Sequence, residues 1–509
     1  MGDNQPLLSS GRRQYGTVPQ TENNPSTSNK WLYLAVFSAV LGNFNFGYSM
    51  VYPSSVIPQM QNSPNSNLKL NIDQISWFGS IFTLGAASGG LSSMLLNDRL
   101  GRKLWIMLSA VPSVVGYAIM AAAQNFWMLL LGRFLTGVAG GITASSIPVY
   151  VSEISNPKLR GRLGSCPQMT AVFGSLALYA LGLALPWRWL AVAGEVPTFI
   201  MLILLCFMPE SPRFLISKNK GEEAEQSLVW LRGKSSDYMR EYKSIERSLN
   251  LQGKLSWSEL RSPRVYKPIL ISVGMRFLQQ MTGITPILVY LEPIFKQTKV
   301  ILPAQFDAAL VGAVRLISVS ISASCMDKAG RKILLFVSSL LMFLSTLSMG
   351  LYTDLIQSHH NASLVNMSSV VNSTQSDVLY GVNNPLTLIP LISTMVIIFG
   401  YAMGWGPITW LLMSEILPLN ARGVASGLCV LVSWVTAFIL TQLFMKVVDA
   451  YGLFVPFFFF TAVCFMNFIF TALCVPETKG RSLEEIENYF RTGRKFTINE
   501  SHADAASPS

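Results

Sequence analysis

Charged side chains are scarce in this chain of 509 residues. Only 13% are Asp, Glu, Lys or Arg, about half the density of a soluble globular domain. That scarcity excludes the three solvated domains that length alone would suggest. Histidine is rarer still, at three in the chain. His359 and His360 have no Cys or carboxylate cluster around them, so no metal site is expected. The six cysteines (Cys166, Cys206, Cys325, Cys429, Cys464 and Cys474) sit in or beside apolar runs without metal-ligand spacing, which argues against a disulfide framework. No nucleophile–base constellation or phosphate loop is present either, so neither enzymatic activity nor a cofactor is expected. Residues 1–30 lack the apolar core of a secretory signal. Pro6 stands where a myristoylation site needs Ser or Thr.

What the chain has in abundance is apolar length. Half of its residues are hydrophobic and the mean hydropathy is +0.41. The apolar residues fall in runs of about 18–24, each long enough to cross a hydrocarbon core of about 30 Å. Twelve such runs begin near Trp31, Ile75, Leu104, Trp127, Leu163, Leu190, Pro268, Ala308, Ile333, Leu386, Val424 and Phe454. The expected fold is an all-α polytopic membrane protein with twelve transmembrane helices, its partner the lipid bilayer. The net charge of +11 is not a nucleic-acid footprint. With alternate breaks assigned to alternate sides, 30 of the 38 Lys and Arg gather on one side and 5 on the other. By the positive-inside rule, that side and both termini are cytosolic.

The chain also repeats itself. Asp98-Arg99-Leu100-Gly101-Arg102-Lys103 returns as Asp327-Lys328-Ala329-Gly330-Arg331-Lys332, at an offset of 229. Ser152-Glu153-Ile154 with Arg160-Gly161 returns as Ser414-Glu415-Ile416 with Arg422-Gly423, at an offset of 262. Pro209-Glu210-Ser211 is echoed by Pro476-Glu477-Thr478. All six fall on the basic side. Two six-span halves of parallel topology are the arrangement of a major facilitator carrier.

The repeat divides the chain into a cytosolic tail (1–30), a first half (31–208), a cytosolic helical linker (209–267), a second half (268–475) and a second tail (476–509). The 33 extra residues between the motif pairs map to a non-cytosolic loop over 352–385. That loop has no Lys or Arg and carries three acceptor sequons, at Asn361, Asn366 and Asn372, which predict glycosylation there. Asn499 also matches but lies on the cytosolic side. In the linker, Glu222 through Leu231 reads as an amphipathic helix, a cap on the cytosolic face. Asp3 precedes the pair Leu7-Leu8 in the polar first tail, an arrangement resembling the acidic dileucine signal read by clathrin adaptor complexes. Tyr15-Gly16-Thr17-Val18 fits a tyrosine-based sorting pattern.

Polar side chains inside spans are costly and mark functional sites. Gln168 falls in span 5, Gln279-Gln280 in span 7, Trp410 just past Gly404-Trp405-Gly406-Pro407 in span 10, and Trp434 in span 11. Amides supply donor and acceptor together, which suits vicinal hydroxyls, and an indole face packs on a sugar ring. Gly and Pro in span 10 allow a broken helix beside a cavity. The alternative is that the amides join neighbouring helices.

Taken together, the repeated motifs, Pro209-Glu210-Ser211-Pro212-Arg213, Gln279-Gln280 and Pro476-Glu477-Thr478-Lys479-Gly480-Arg481 resemble the sugar porter family of the major facilitator superfamily, over residues 31–490. The short first non-cytosolic loop and the long sequon-bearing fifth one resemble its class III facilitative glucose transporters. The tail, Trp187-Arg188-Trp189 and Arg315 resemble the lysosome-associated branch of that class. The resemblance implies a facilitative hexose uniporter, functional as a monomer, in lysosomal or endosomal membranes and cycling to the cell surface. It implies a midway site at Gln168, Gln279, Gln280, Thr285, Trp410 and Trp434. It also implies a cytosolic ion-pair latch between the halves, made of Asp98, Arg102, Glu153 and Arg160 with Asp327, Arg331, Glu415 and Arg422; the other reading of these charges is topogenic and solvated.

The chain departs from the family's best-known members at four positions: Thr285 and Arg315 replace Asn, Asn45 replaces Gln, and Thr409 replaces Pro. Coupled sugar porters carry Asp after Phe-Gly-Tyr in span 1. Here Phe46-Gly47-Tyr48 is followed by Ser49, which cannot cycle a proton near neutral pH. A proton-coupled sugar or polyol symporter, with Glu195 as the substitute acid, is the alternative, and a non-transporting sugar sensor is the third reading.

Overall fold

The computed structural model describes residues 29–61, 68–156, 159–233, 238–250, 262–298, 302–366, 385–417 and 422–479, with Ile486, Tyr489 and Phe490 beyond them. The described elements are helices. The first half is built from α1 (Lys30–Gln61), α2 (Ile72–Leu100), α3 (Arg102–Leu108), α4 (Ala110–Ala121), α5 (Phe126–Ile154), α6 (Arg160–Gly164), α7 (Cys166–Gly182) and α8 (Trp187–Cys206). Three short helices follow: α9 (Pro212–Ser217), α10 (Gly221–Arg232) and α11 (Tyr238–Asn250). The second half comprises α12 (Pro263–Met281), α13 (Ile284–Val289), α14 (Leu291–Thr298), α15 (Ala304–Ala329), α16 (Arg331–Asn366), α17 (Ile389–Met403), α18 (Pro407–Ile416), α19 (Arg422–Tyr451) and α20 (Phe454–Leu473).

Among the described residues, ten helical stretches are long and apolar enough to cross a membrane, with α3–α4 and the stretch from Leu386 through α18 each counting as one. The expected spans near Leu163 and Pro268 fall outside that set. The first becomes α7, only 17 residues long. The second becomes α12, which carries Arg264, Lys267 and Arg276 and breaks at Gly283, where φ is +80°, a value that suits glycine. Both pack among the others, α7 along α1 and α15, and α12 along α19. Helix α16 also runs on to Asn366, into the segment expected to be loop. Between Gly350 and Gly381 the sequence holds no Gly or Pro to stop it.

The halves meet along α2 and α19 and along α7 and α15. One face of the molecule carries the repeated Lys/Arg-rich turns, and polar contacts joining the halves gather toward the other. There the Tyr290 hydroxyl donates to the carbonyls of Ile75 (3.3 Å) and Ser76 (3.4 Å). Tyr179 donates to the Leu288 carbonyl at 3.0 Å, the Glu292 amide to Ser54 Oγ at 3.0 Å, and Ser80 to Gln442 at 2.5 Å. Lys446 pairs with Asp73 at 2.8 Å. The rings of Tyr290, Phe444 and Phe460 stack behind these contacts at centroid spacings of 5.8 and 6.2 Å. The centre is thereby closed toward the face opposite the basic turns.

Each basic turn is fastened the same way. Gly101 and Gly330 adopt φ of +96° and +92°, which lets the chain turn sharply from α2 into α3 and from α15 into α16. The next two amides point at a carboxylate. Arg102 N and Lys103 N donate to Glu210, and Arg331 N and Lys332 N to Glu477. A helix start holding an anion is favourable on both dipole and hydrogen-bond grounds. Burial pushes the Glu210 carboxyl up from the usual carboxylate range, while the backbone amides and Arg102 pull it back. The cap helices dock on the first half: Arg232 makes two bonds to Glu241 at 2.9 and 2.7 Å and one to the Ile154 carbonyl at 2.9 Å, and Ser227 donates to the Glu210 carbonyl at 2.7 Å. The predicted amphipathic helix corresponds to α10, with Ala224, Leu228 and Leu231 buried.

Candidate functional site

Two helix interruptions shape the centre. Thr282-Gly283 separates α12 from α13, and Gly404-Trp405-Gly406 separates α17 from α18. Each leaves backbone groups without intrahelical partners, which must be satisfied locally. Gln279 does this work. Its Nε2 donates to the Trp405 carbonyl at 2.7 Å, the Gly406 carbonyl at 3.2 Å and the Tyr401 hydroxyl at 2.9 Å. Its Oε1 accepts from Arg276 Nη1. With 1% of its surface exposed, Gln279 is consumed by the protein.

Gln280 differs. Its Nε2 donates to Ser433 Oγ at 3.0 Å and its Oε1 accepts from Thr285 Oγ1 at 2.7 Å. An amide has two N–H donors and an oxygen with two lone pairs, so half of its capacity remains for a ligand. Gln168, on α7, is half-buried, and its amide takes part in no hydrogen bond with a described residue. Trp410, on α18, is 37% exposed while Trp405 is fully enclosed, its indole N–H donating to Ser339 at 2.7 Å. Trp434 packs edge-on against Phe46 of α1, 5.7 Å between centroids, joining the halves at mid-depth. The structure therefore brings Gln279, Gln280, Thr285 and Trp410 into one neighbourhood of the second half. Gln168 lies on the facing half.

Sequence reasoning passed over several residues here. Arg276 lies beneath Trp410, its Cζ 3.9 Å from the ring centroid, and its Nη2 donates to Ser433 at 3.0 Å. Tyr401 and Ser433 complete the network. The usable signals were Arg276 itself, a charge inside a span, and the position of Tyr401 one turn before the Gly404 break.

In the first half, Asn45 donates to Ser113 at 2.8 Å and Thr198 at 2.7 Å and accepts from Tyr117 at 2.8 Å. Ser49 hydrogen-bonds Tyr117. Arg133 is enclosed, donating to the Ser49 carbonyl at 2.5 Å with Phe82 4.8 Å from its Cζ. This arrangement holds Arg133 with a carbonyl and ring faces.

Five of the eight charges expected in the latch have described side chains. Arg102 pairs with Asp98 at 3.0 Å and Glu153 at 3.0 Å, and Arg331 with Glu415 at 3.1 Å. Ser211 donates to Glu153 at 2.5 Å, and Thr478 to Glu415 at 2.6 Å. These described pairs close within one half each, because the acid of each lies on the helix beside its own basic turn. The backbones of Arg160, Asp327 and Arg422 lie in α6, α15 and α19, but their side chains are outside the described residues. So are the side chains of Asn361 and Asn366, at the end of α16, and the whole of Leu7, Leu8, Tyr15, Asn372 and Asn499.

Two helical halves meeting around interrupted helices and a polar centre define a multi-pass membrane carrier of major facilitator architecture. Residues 35–490 match the model of the family described as "Sugar (and other) transporter". The chain belongs to this family. It is 59% identical over 498 residues to the mouse "Solute carrier family 2, facilitated glucose transporter member 6", covering 96% of this chain and 99% of the relative. The human protein of that name is 57% identical over 504 residues, with the same coverage. Bovine facilitated glucose transporter member 8 is 41% identical, covering 96% and 98%. Among solved structures, the proton:xylose symporter XylE bound to 6-bromo-6-deoxy-D-glucose superposes with a TM-score of 0.71 at 22% identity, covering 91% of this chain and 99% of that one. That likeness is one of fold.

Proposed function

We propose that the chain is a facilitative hexose transporter, a carrier and not an enzyme, working by alternating access. The observation that carries this is the half-used amide of Gln280 between Ser433 and Thr285, beside an exposed Trp410, in a chain closely related to facilitated glucose transporters. A hexose hydroxyl takes the remaining donor and acceptor of Gln280, the Gln168 amide bonds from the facing half, and Trp410 and Trp434 offer ring faces. The Gln279 part of the reading changes: its role is to hold the α17–α18 break in place.

Uniport is favoured over proton symport by Ser49. It replaces the acid of coupled porters, and its hydroxyl is hydrogen-bonded to Tyr117 beside Arg133. The paired acids and bases on the basic face stiffen each half, so that each moves as a body while the contacts around Tyr290 break and reform. The basic face is cytosolic on the charge bias. A lysosomal or endosomal membrane, reached through the Leu7-Leu8 signal and clathrin adaptors, fits the first tail, and glycans at Asn361, Asn366 and Asn372 fit the opposite side. The protein works as a monomer, since one chain supplies both walls of the site.

Reconstituted protein should equilibrate radiolabelled D-glucose down its gradient, at a rate indifferent to an imposed pH gradient. Accumulation above equilibrium driven by protons would overturn uniport, and no hexose movement at all would overturn the whole reading.

A further inference from the structure

Placing a guanidinium in a membrane interior without a counter-charge is expensive, yet this site holds one that is enclosed, Arg276, and one that is half-buried, Arg315. Arg276 is 2% exposed. It spends its donors on Gln279, Ser433 and Thr409, all neutral, and its Nε has no partner. Arg315, on α15, makes one hydrogen bond, to Ser175 of α7 at 3.3 Å across the seam between the halves. Ser175 lies seven residues, about two helical turns, from Gln168 on the same face of α7.

The two charges flank Tyr401. Arg276 bonds Gln279, which donates to the Tyr401 hydroxyl, and Arg315 sits on α15, which packs along α17, the helix that carries Tyr401. Among the described residues neither makes an ion pair with a carboxylate: Arg276 donates to Gln279, Ser433 and Thr409, and Arg315 to Ser175. Arg133 belongs to a different case, since ring faces and carbonyls enclose it within the first half.

A neutral hexose leaves both positive charges uncompensated. A ring carrying one anionic group does not, because a guanidinium fork matches the two oxygens of a carboxylate or phosphate. We infer that the central site takes an acidic hexose derivative, with its anionic group on Arg315 and Arg276 as a second positive charge behind Tyr401. This rests on the hexose reading above and extends it to a charged substrate class. Trp410, lying over Arg276, remains the stacking face for the ring.

The test uses the full chain in lipid vesicles. Counterflow of radiolabelled D-glucose is competed by D-glucuronate, by D-glucose 6-phosphate and by D-glucuronamide, a neutral twin of the first. At least one anion should compete at about tenfold lower concentration than the amide, the gain expected of one charge-assisted bond; which anion does so distinguishes carboxylate from phosphate. In Arg315→Gln the ratio of anion to amide should fall to about one. An amide that competes as well as both anions overturns the inference while leaving hexose transport standing. A ratio unchanged in Arg315→Gln overturns the assignment to that residue. Should glucose counterflow fail altogether, the hexose reading fails, and thermal stabilisation of the wild-type protein by D-glucuronate against D-glucuronamide still decides the anion site. The wild-type comparison needs no variant to fold.

Discussion

Replacing Gln279 and Gln280 separately by Leu should produce two different injuries, although the residues are adjacent and chemically identical. Leu matches the amide in volume but offers no polar atom. At Gln279 the loss withdraws a donor from the Trp405 and Gly406 carbonyls and from Tyr401, and an acceptor from Arg276. Leaving a buried polar group unpaired costs about 1–3 kcal/mol, more when it is charged. Even with Thr409 still donating to the two carbonyls, the protein should lose about 2–5 kcal/mol, seen as a clear drop in midpoint temperature. At Gln280 only Ser433 and Thr285 are deprived, and both are hydroxyls able to turn to one another or to a ligand. Stability should fall by about 1 kcal/mol or less. Hexose affinity should fall by about 5- to 150-fold, the equivalent of one lost buried bond at 1–3 kcal/mol. The measurements are thermal unfolding in detergent and glucose counterflow in vesicles on the same preparations. If Gln279→Leu melts with the wild type while losing glucose, and Gln280→Leu unfolds early while keeping it, the assignment of the two amides is reversed and the reasoning fails.

Other outcomes follow from the same contacts. Glu210→Gln and Glu477→Gln should each cost about 1–2 kcal/mol by weakening the charge-assisted bonds at a helix start, and the double variant should cost the sum, since the turns lie in separate halves; strong non-additivity would argue against independent clamps. Tyr290→Ala should raise labelling of Ser54→Cys by a membrane-impermeant thiol reagent added on the side opposite the basic turns, and unchanged labelling would mean that Tyr290 does not hold that side closed. Removing Asn361, Asn366 and Asn372 together should abolish the mobility shift given by glycosidase, whereas a residual shift or a glycan on Asn499 would invert the topology. Leu7→Ala with Leu8→Ala should move the protein to the cell surface, and continued intracellular retention would pass the role to Tyr15.

The basic turns were the most legible part of the sequence. Asp98-Arg99-Leu100-Gly101-Arg102-Lys103 and its repeat are local in chain and local in space, and Gly101 and Gly330 stand where only a positive φ makes the turn. Glu210 and Glu477 were visible as repeated acids, yet their hold on the amides of the next turn was not, because those bonds span 108 and 146 residues. The site residues read correctly as polar groups in spans. Which of the two glutamines the protein itself consumes depends on a helix break about 126 residues away, and no local pattern encodes that distance. The stacking of Arg276 on Trp410 was hidden for the same reason. The extent of α16 was missed on opposite grounds: sequons suggested a loop, but the residues between Gly350 and Gly381 contain no Gly or Pro to stop a helix.

The duplicated clamp sets where the work of switching is done. The described ion pairs of Arg102 and Arg331 are to acids of their own half, so a rocking of the halves as bodies need not break them. Among the described residues, the contacts that close the opposite side are hydroxyl and amide bonds about Tyr290, Tyr179 and Ser80, with an exposed charge pair at Asp73. The contacts that close this side are polar and local to it, so they are the ones a carrier must exchange when it opens there.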